Sequence, residues 1–151
     1  HRMQNTILLV EDNADDEKMA LPALRSCGQV QEVEVVRDGA EALDYLFGGG
    51  QYSERDTREQ PRLILLDMKL PKLNGLDVLR RVRQDPRTRY HPVVLMTSSR
   101  QETDIIAGYS LGANSYVQKP VNFDEFAEVI HDLAKYWIQI IRTPNLSIIS
   151  I

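Results

Sequence analysis

The sequence predicts an α/β fold: a doubly wound, five-stranded parallel sheet with helices on both faces. Three observations predict it. Short aliphatic runs alternate five times with stretches of helical periodicity. Three of these runs, Ile7 to Val10, Leu63 to Leu66 and Val93 to Met96, are apolar at every position, as strands covered on both faces must be. At 151 residues and 42% hydrophobic, the chain can bury one good core but is short for two domains.

The elements follow in order. Ile7 to Val10 is the first strand, and Asp15 to about Arg25 is a helix capped by Asn13, with Pro22 expected to kink or break it. Val33 to Val36 is the second strand, and Asp38 caps a helix through Leu43, Leu46 and Phe47. Gly48 through Gln60, polar and glycine-led, reads as a long surface loop. Leu63 to Leu66 is the third strand, followed by a helix with Leu76, Leu79 and Val82 on its apolar face. Val93 to Met96 is the fourth, with a helix near Glu102 to Leu111. Ser115 to Val117 is a short fifth strand. Asn122 then caps a helix carrying Phe123, Phe126, Ile130 and Leu133, with Glu125 placed for a capping box. This helix is expected to reach about Arg142, and Pro144 to stop it.

Composition narrows the function classes. The net charge is −4 with 26% charged residues, and no basic run suggests a nucleic-acid partner. There is no secretory signal and no apolar stretch of about 18 residues, so no membrane insertion is expected. The single cysteine, Cys27, forms no internal disulfide, consistent with a reducing, cytoplasmic location. Residues 1–5 read as a disordered or non-native leader around Met3.

Ligands of open α/β sheets bind outside the carboxyl ends of the strands. Glu11 and Asp12 follow the first strand, Asp67 the third, Thr97 and Ser98 the fourth, and Lys119 with Pro120 the fifth. Each alone is unremarkable: acids after strands cap helices, and single lysines are usually solvated. Converging on one edge, three carboxylates, a hydroxyl and an ammonium make a candidate site. Carboxylates in close quarters repel unless a cation neutralises them. An all-oxygen ligand set suits a hard ion such as Mg²⁺, which keeps waters and stays open to phosphate oxygens. Lys119 adds a compact positive charge, and Thr97 a hydroxyl donor. Screened in this way, a carboxylate oxygen of Asp67 can act as a nucleophile and form an aspartyl-phosphate.

The strings ILLVEDNADD, LILLDMKLPKLNG, VVLMTSS and GANSYVQKP resemble the receiver domain of two-component response regulators over about Thr6 to Tyr136. Thirty residues separate Asp67 from Thr97, and twenty-two separate Thr97 from Lys119, as in compact receivers. The resemblance implies a flavodoxin-like sheet of order 2-1-3-4-5, a receiver domain over 6–137 and an extension over 138–151. It implies that Asp67 is the phosphoacceptor for a histidine kinase. Asp12 would be a direct Mg²⁺ ligand, Glu11 would act through water, and the backbone carbonyl of Lys69 would complete the protein ligands. Thr97 and Lys119 would contact the phosphoryl group, with the Lys119–Pro120 bond expected cis. Thr97 and Tyr116 would form the switch, and the surface around the fourth helix, fifth strand and fifth helix would change. Lys69, Ser98 and Ser99 at the rim are candidates for tuning the lifetime of the phosphoaspartate.

Nothing after Trp137 is long enough for an output module. The long loop and the segment DLAKYW resemble the single-domain regulators of bacterial and cyanobacterial phytochrome kinases, which makes a bacteriophytochrome a candidate partner. By the same resemblance Trp137, Ile138, Ile140 and Ile141 are candidate homodimer contacts, the alternative being that they fold back on their own domain. Three rivals remain. A haloacid-dehalogenase-type phosphatase wants a second Asp where Lys69 stands. A flavodoxin-type flavin site wants a hydroxyl- and glycine-rich loop where VEDNADD stands. A degenerate receiver would act as an adaptor without phosphorylation.

Overall fold

The structure is a computed structural model, and it describes residues 5–142. Ten principal elements alternate: β1 (Thr6–Val10), α1 (Ala14–Arg25), β2 (Glu32–Val36), α2 (Gly39–Phe47), β3 (Leu63–Asp67), α3 (Gly75–Gln84), β4 (Val93–Thr97), α4 (Glu102–Ser110), β5 (Ser115–Gln118) and α5 (Phe123–Ala134). The strands are all parallel, in the order β2-β1-β3-β4-β5, as expected. After β2 the chain crosses to the other side of β1, so the carboxyl ends of β1 and β3 flank the point where winding reverses. Crevices open at such points.

The period-two alternation of each strand divides the core between the two faces. Leu8, Val10, Ile64, Leu66, Val93 and Leu95 pack against Leu43, Leu46, Val78 and Leu79 of α2 and α3. Ile7, Leu9, Leu63, Leu65, Val94 and Met96 pack against Leu24, Phe126 and Ile130 of α1 and α5. Helix α4 sits differently. Gly108 is its one buried residue, and a Cβ there would lie 2.7 Å from Leu95 Cδ1. Ile106 and Tyr109 of this helix are exposed.

The predicted caps form. Asn13, Asp38 and Asn122 each accept a backbone N–H from the first turn of the following helix. Pro22 does not break α1, which is helical on both sides of it. Proline offers no N–H to the Lys18 carbonyl, but Lys18 is exposed, where water can take that bond. The loop after α2 is ordered around Arg55. Its guanidinium donates to the carbonyls of Tyr45 and Glu59, both at 2.6 Å, and lies over the Tyr45 ring.

Helix α5 ends in one wide turn, a π-helical segment over Lys135–Ile140. Within it the structure takes the fold-back alternative over a dimer contact for one residue. Ile138 is buried in its own domain, continuing the stripe of Phe126, Ile130 and Ala134, because four-residue spacing keeps side chains on one helical face. Trp137 is half-buried on the same core with its ring edge-on to Tyr136, and Ile141 is half-buried. Of the four residues expected at a dimer surface, Ile140 is the exposed one. The first four residues, and the tail from Thr143 with Pro144, lie outside the described residues.

Candidate functional site

Five strand-end residues from the sequence reading line or border one open cleft. Asp12, Asp67, Thr97, Ser98 and Lys119 line it together with Asn13, Asp16, Lys69, Pro120 and Val121, around a volume of about 490 Å³. Glu11 lies just beneath. Asp67 terminates β3 and is 5% exposed, and Thr97 terminates β4 at 1%. The close approach of α3 is set by Gly75, where a Cβ would fall 2.4 Å from the carbonyl oxygen of Asp67. A glycine is needed at the start of α3 for this helix to seat against the mount of the carboxylate. The sequence reading missed this, although the NG pair after a strand was a visible cue.

The ammonium of Lys119 organises the floor. It donates to Glu11 Oε1 at 2.7 Å, to Asp16 Oδ2 at 2.8 Å and to Asp67 Oδ2 at 2.9 Å. Its backbone N–H donates to the Thr97 carbonyl at 2.8 Å, joining the ends of β4 and β5. Burial alone would depress the Lys119 ammonium, but Asp67, Asp16 and Glu11 together push it above its ordinary value. Burial pushes the Glu11 carboxyl up, and the neighbouring Asp67 adds to this, while Lys119 pulls it back. A buried carboxylate held by a lysine is costly to strand alone, so the group is tightly interdependent.

Asp67 Oδ1 accepts the backbone N–H of Lys69 at 3.0 Å, leaving the Lys69 side chain exposed at the rim. Thr97 Oγ1 accepts the N–H of Ser99 at 3.2 Å, which leaves the Thr97 hydroxyl hydrogen for another acceptor. Ser99 also donates from Oγ to Asp104 Oδ2 at 2.6 Å, and its carbonyl accepts from the Tyr116 hydroxyl at 3.3 Å. Thr97 at the site, α4 and the half-buried Tyr116 of β5 therefore meet at one residue. Ser98 is exposed beside them.

The sequence reading needs two amendments here. Asp16 is not among the strand-end residues that the sequence singles out, yet it is a full partner of Lys119. The cue was its place three residues after the cap Asn13, whose Oδ1 accepts the Asp16 N–H and fixes that turn. Further, the Lys119–Pro120 bond is not cis, since there is no cis peptide bond among the described residues. The strand bond to Thr97 and three carboxylates already fix the position of Lys119, so the trans form, ordinarily preferred before proline, suffices.

One oxygen each from Glu11, Asp12 and Asp67 fall within 4.8 Å of one another. Asp12 is exposed to the cleft and Glu11 is buried. All-oxygen donors around an open cleft fit a hard divalent ion with retained waters.

A family profile for the response regulator receiver domain matches residues 7–131. The probable methanogenesis regulatory protein FilR2 of Methanothrix harundinacea is 37% identical over 142 residues, covering 92% of this chain and 87% of that protein. The response regulator Rcp1 of Synechocystis is 34% identical over 138 residues, covering 91% and 92%. Among solved structures, the phosphorylated cyanobacterial phytochrome response regulator RcpA superposes with a TM-score of 0.87 at 35% identity, covering 93% of this chain and 99% of that one. The Mn²⁺-bound form of Rcp1 superposes with a TM-score of 0.86 at 34% identity, covering 93% and 99%.

Proposed function

The chain belongs to the response regulator receiver family, related to phytochrome response regulators, and from this we propose that it accepts a phosphoryl group on Asp67 from a histidine kinase. The observation that carries the reading is the Asp67 carboxylate itself: 5% exposed at a strand end, facing an open cleft, with Lys119 on one oxygen and the Lys69 N–H on the other. An oxygen of Asp67 attacks the phosphorus of a phosphohistidine. The new O–P bond forms as the P–N bond breaks, and the bonding pair leaves with the imidazole. Lys119 and the Thr97 hydroxyl are placed to meet the charge on the phosphoryl oxygens. Most of the catalysis is then positioning and electrostatics.

The protein's own part in this chemistry is that of a signalling phosphoacceptor. Asp12 and Asp67, with the Lys69 carbonyl and with Glu11 acting through water, would hold Mg²⁺. Bound there, the ion neutralises the carboxylates and the incoming phosphoryl oxygens. That a related regulator, Rcp1, has a Mn²⁺-bound form supports this reading. The likeness to phytochrome regulators makes a bacteriophytochrome-type kinase the partner to try first. The output surface is α4, β5 and α5, where Ser99 ties Thr97 to Tyr116 and Asp104 and where Ile106, Tyr109, Val121 and Phe123 are exposed. A homodimer through the end of α5 would use Trp137, Ile140 and Ile141, with Ile138 serving its own core. Among the described residues no helix is long and apolar enough to cross a membrane.

Intact-mass analysis with Mg²⁺ and acetyl phosphate tests the reading. The expected outcome is one phosphoryl adduct on the wild type and none on Asp67→Asn. No adduct on the wild type with any donor, together with no Mg²⁺ binding, would establish instead a degenerate receiver working as an adaptor.

A further inference from the structure

We infer that Asp16 is a positioning residue for phosphoryl transfer, a detachable carboxylate that holds the Lys119 ammonium and yields its place to a phosphoryl oxygen. This rests on the reading of Asp67 as the phosphoacceptor and adds a residue outside the strand-end set.

An ammonium has three N–H donors. In Lys119 all three are committed, to Glu11, Asp16 and Asp67 at 2.7, 2.8 and 2.9 Å. A phosphoryl oxygen arriving on Asp67 therefore finds no free hydrogen on this lysine, and one partner has to leave. Glu11 is a poor candidate. Its side chain is 1% exposed, and without Lys119 it would be a charge stranded in the core. Asp67 stays in place as the atom to which the phosphoryl group is bonded. Asp16 differs from both. Its side chain is 21% exposed, it borders the open cleft, and it stands in the first turn of α1, where the helix dipole favours a negative charge. It can turn to water and remain stabilised. The phosphoryl group brings about −1.5 to −2 charge into the same cleft, which favours its departure further. Asp16 thus sets the cost of freeing Lys119, and so how readily the site admits a phosphoryl group.

The test compares initial rates of adduct formation from acetyl phosphate, by intact mass in the full chain with saturating Mg²⁺. The variants are Asp16→Asn, Asp16→Ala, Asp16→Glu and Asp15→Asn, with folding of each checked by circular dichroism. Asp15 is the neighbouring exposed acid, and its substitution removes the same formal charge without touching Lys119. Asp16→Asn and Asp16→Ala are expected to react about twofold to fivefold faster than wild type, the range for losing a partly exposed ion pair. Asp16→Glu, which can still reach the ammonium, is expected to return close to the wild-type rate, and Asp15→Asn to stay there. A purely structural role for Asp16 would slow the reaction, so equal or lower rates in the Asn and Ala variants overturn the inference. Equal acceleration in Asp15→Asn also overturns it, because general relief of repulsion would then suffice. A wild type that forms no adduct overturns the phosphoacceptor reading itself, and the inference with it.

Discussion

Two half-buried cations sit at opposite ends of the sheet, and they are neutralised in opposite ways. Lys119, at the carboxyl edge, is surrounded by formal charges: Glu11, Asp16 and Asp67. Arg83 belongs to α3, and at the other edge it is surrounded by neutral oxygens. Its Nε donates to the Gly112 carbonyl at 2.9 Å, Nη1 to the carbonyls of Arg89 and His91 at 3.0 and 2.7 Å, and Nη2 to Asn114 Oδ1 at 2.8 Å. Nearby, Gln60 commits both amide hydrogens to the carbonyls of Leu46 and Thr57, which turns its oxygen toward His91 Nε2 at 2.9 Å. His91 therefore carries its proton on Nε2, and its buried Nδ1 has no partner. Carbonyl and amide dipoles cannot change charge, so they fix loops in a single arrangement. Carboxylates around an ammonium can be redistributed when a new anion arrives. The difference separates a fastening from a site.

The contrast can be broken most severely at Lys119. Lys119→Met leaves Glu11 and Asp67 buried without a cation, with an expected loss of about 3 to 5 kcal/mol of unfolding free energy by urea titration without Mg²⁺. Adding Mg²⁺ should recover part of that loss, since the ion replaces the missing charge. Arg83→Met should cost less, about 1 to 3 kcal/mol, because its acceptors are neutral and several reach water. Mg²⁺ should not restore it, and the rate of phosphorylation from acetyl phosphate should be unchanged. Recovery of Arg83→Met by Mg²⁺ would show that the two ends are not separate.

The smallest effect is read by acid. Burial first, then the charges of Arg83 and Arg55, hold the His91 imidazole down to about 3 from an ordinary value of 6.5. Between those values the unfolded chain binds a proton that the native protein refuses. Stability from this residue is therefore complete above about pH 6.5 and falls below it, by up to about 1.4 kcal/mol per pH unit. His91→Gln should flatten that part of the slope. Urea midpoints at pH 6.5 and 5 for both proteins measure it, and identical slopes would remove His91 from the account.

The sheet and the edge that carries the candidate site were legible because both depend on local signals. All-apolar runs announce covered strands, and in a parallel sheet every strand's carboxyl end lies at the same edge, so Asp67, Thr97 and Lys119 could be brought together without coordinates. The cap Asn13 places Asp16 in the first turn of α1, but the contact of Asp16 with Lys119 was not legible. It depends on how the first turn of α1 is aimed across the edge toward β5, more than a hundred residues later in the chain. The intrinsic cost of Pro22 predicts a kink or a break, but it falls where the freed carbonyl belongs to an exposed residue and α1 runs on. For Ile138 the sequence leaves two readings open, a dimer contact or a residue folded back on its own domain, because an apolar residue near a helix end suits either. The stripe Phe126–Ile130–Ala134 favours the second, and the core continues it. Arg83 drew no notice, since nothing in an arginine's neighbours in sequence shows that it will collect carbonyls from two loops.

The wide turn at Lys135–Ile140 has a consequence for timing along the helix, in the sense of phase. A four-residue step in a helix of 3.6 residues per turn overshoots a full circle by about 40°, so the stripe from Phe126 to Ala134 drifts steadily around α5. The looser winding of the last turn runs that drift backward and returns Ile138 to the core while Ile140 faces outward. The turn works as a phase corrector. Deleting a single residue within it would do little to the length of the helix, but it would rotate everything beyond the cut by about 100°, exchanging which isoleucine the domain keeps and which it offers.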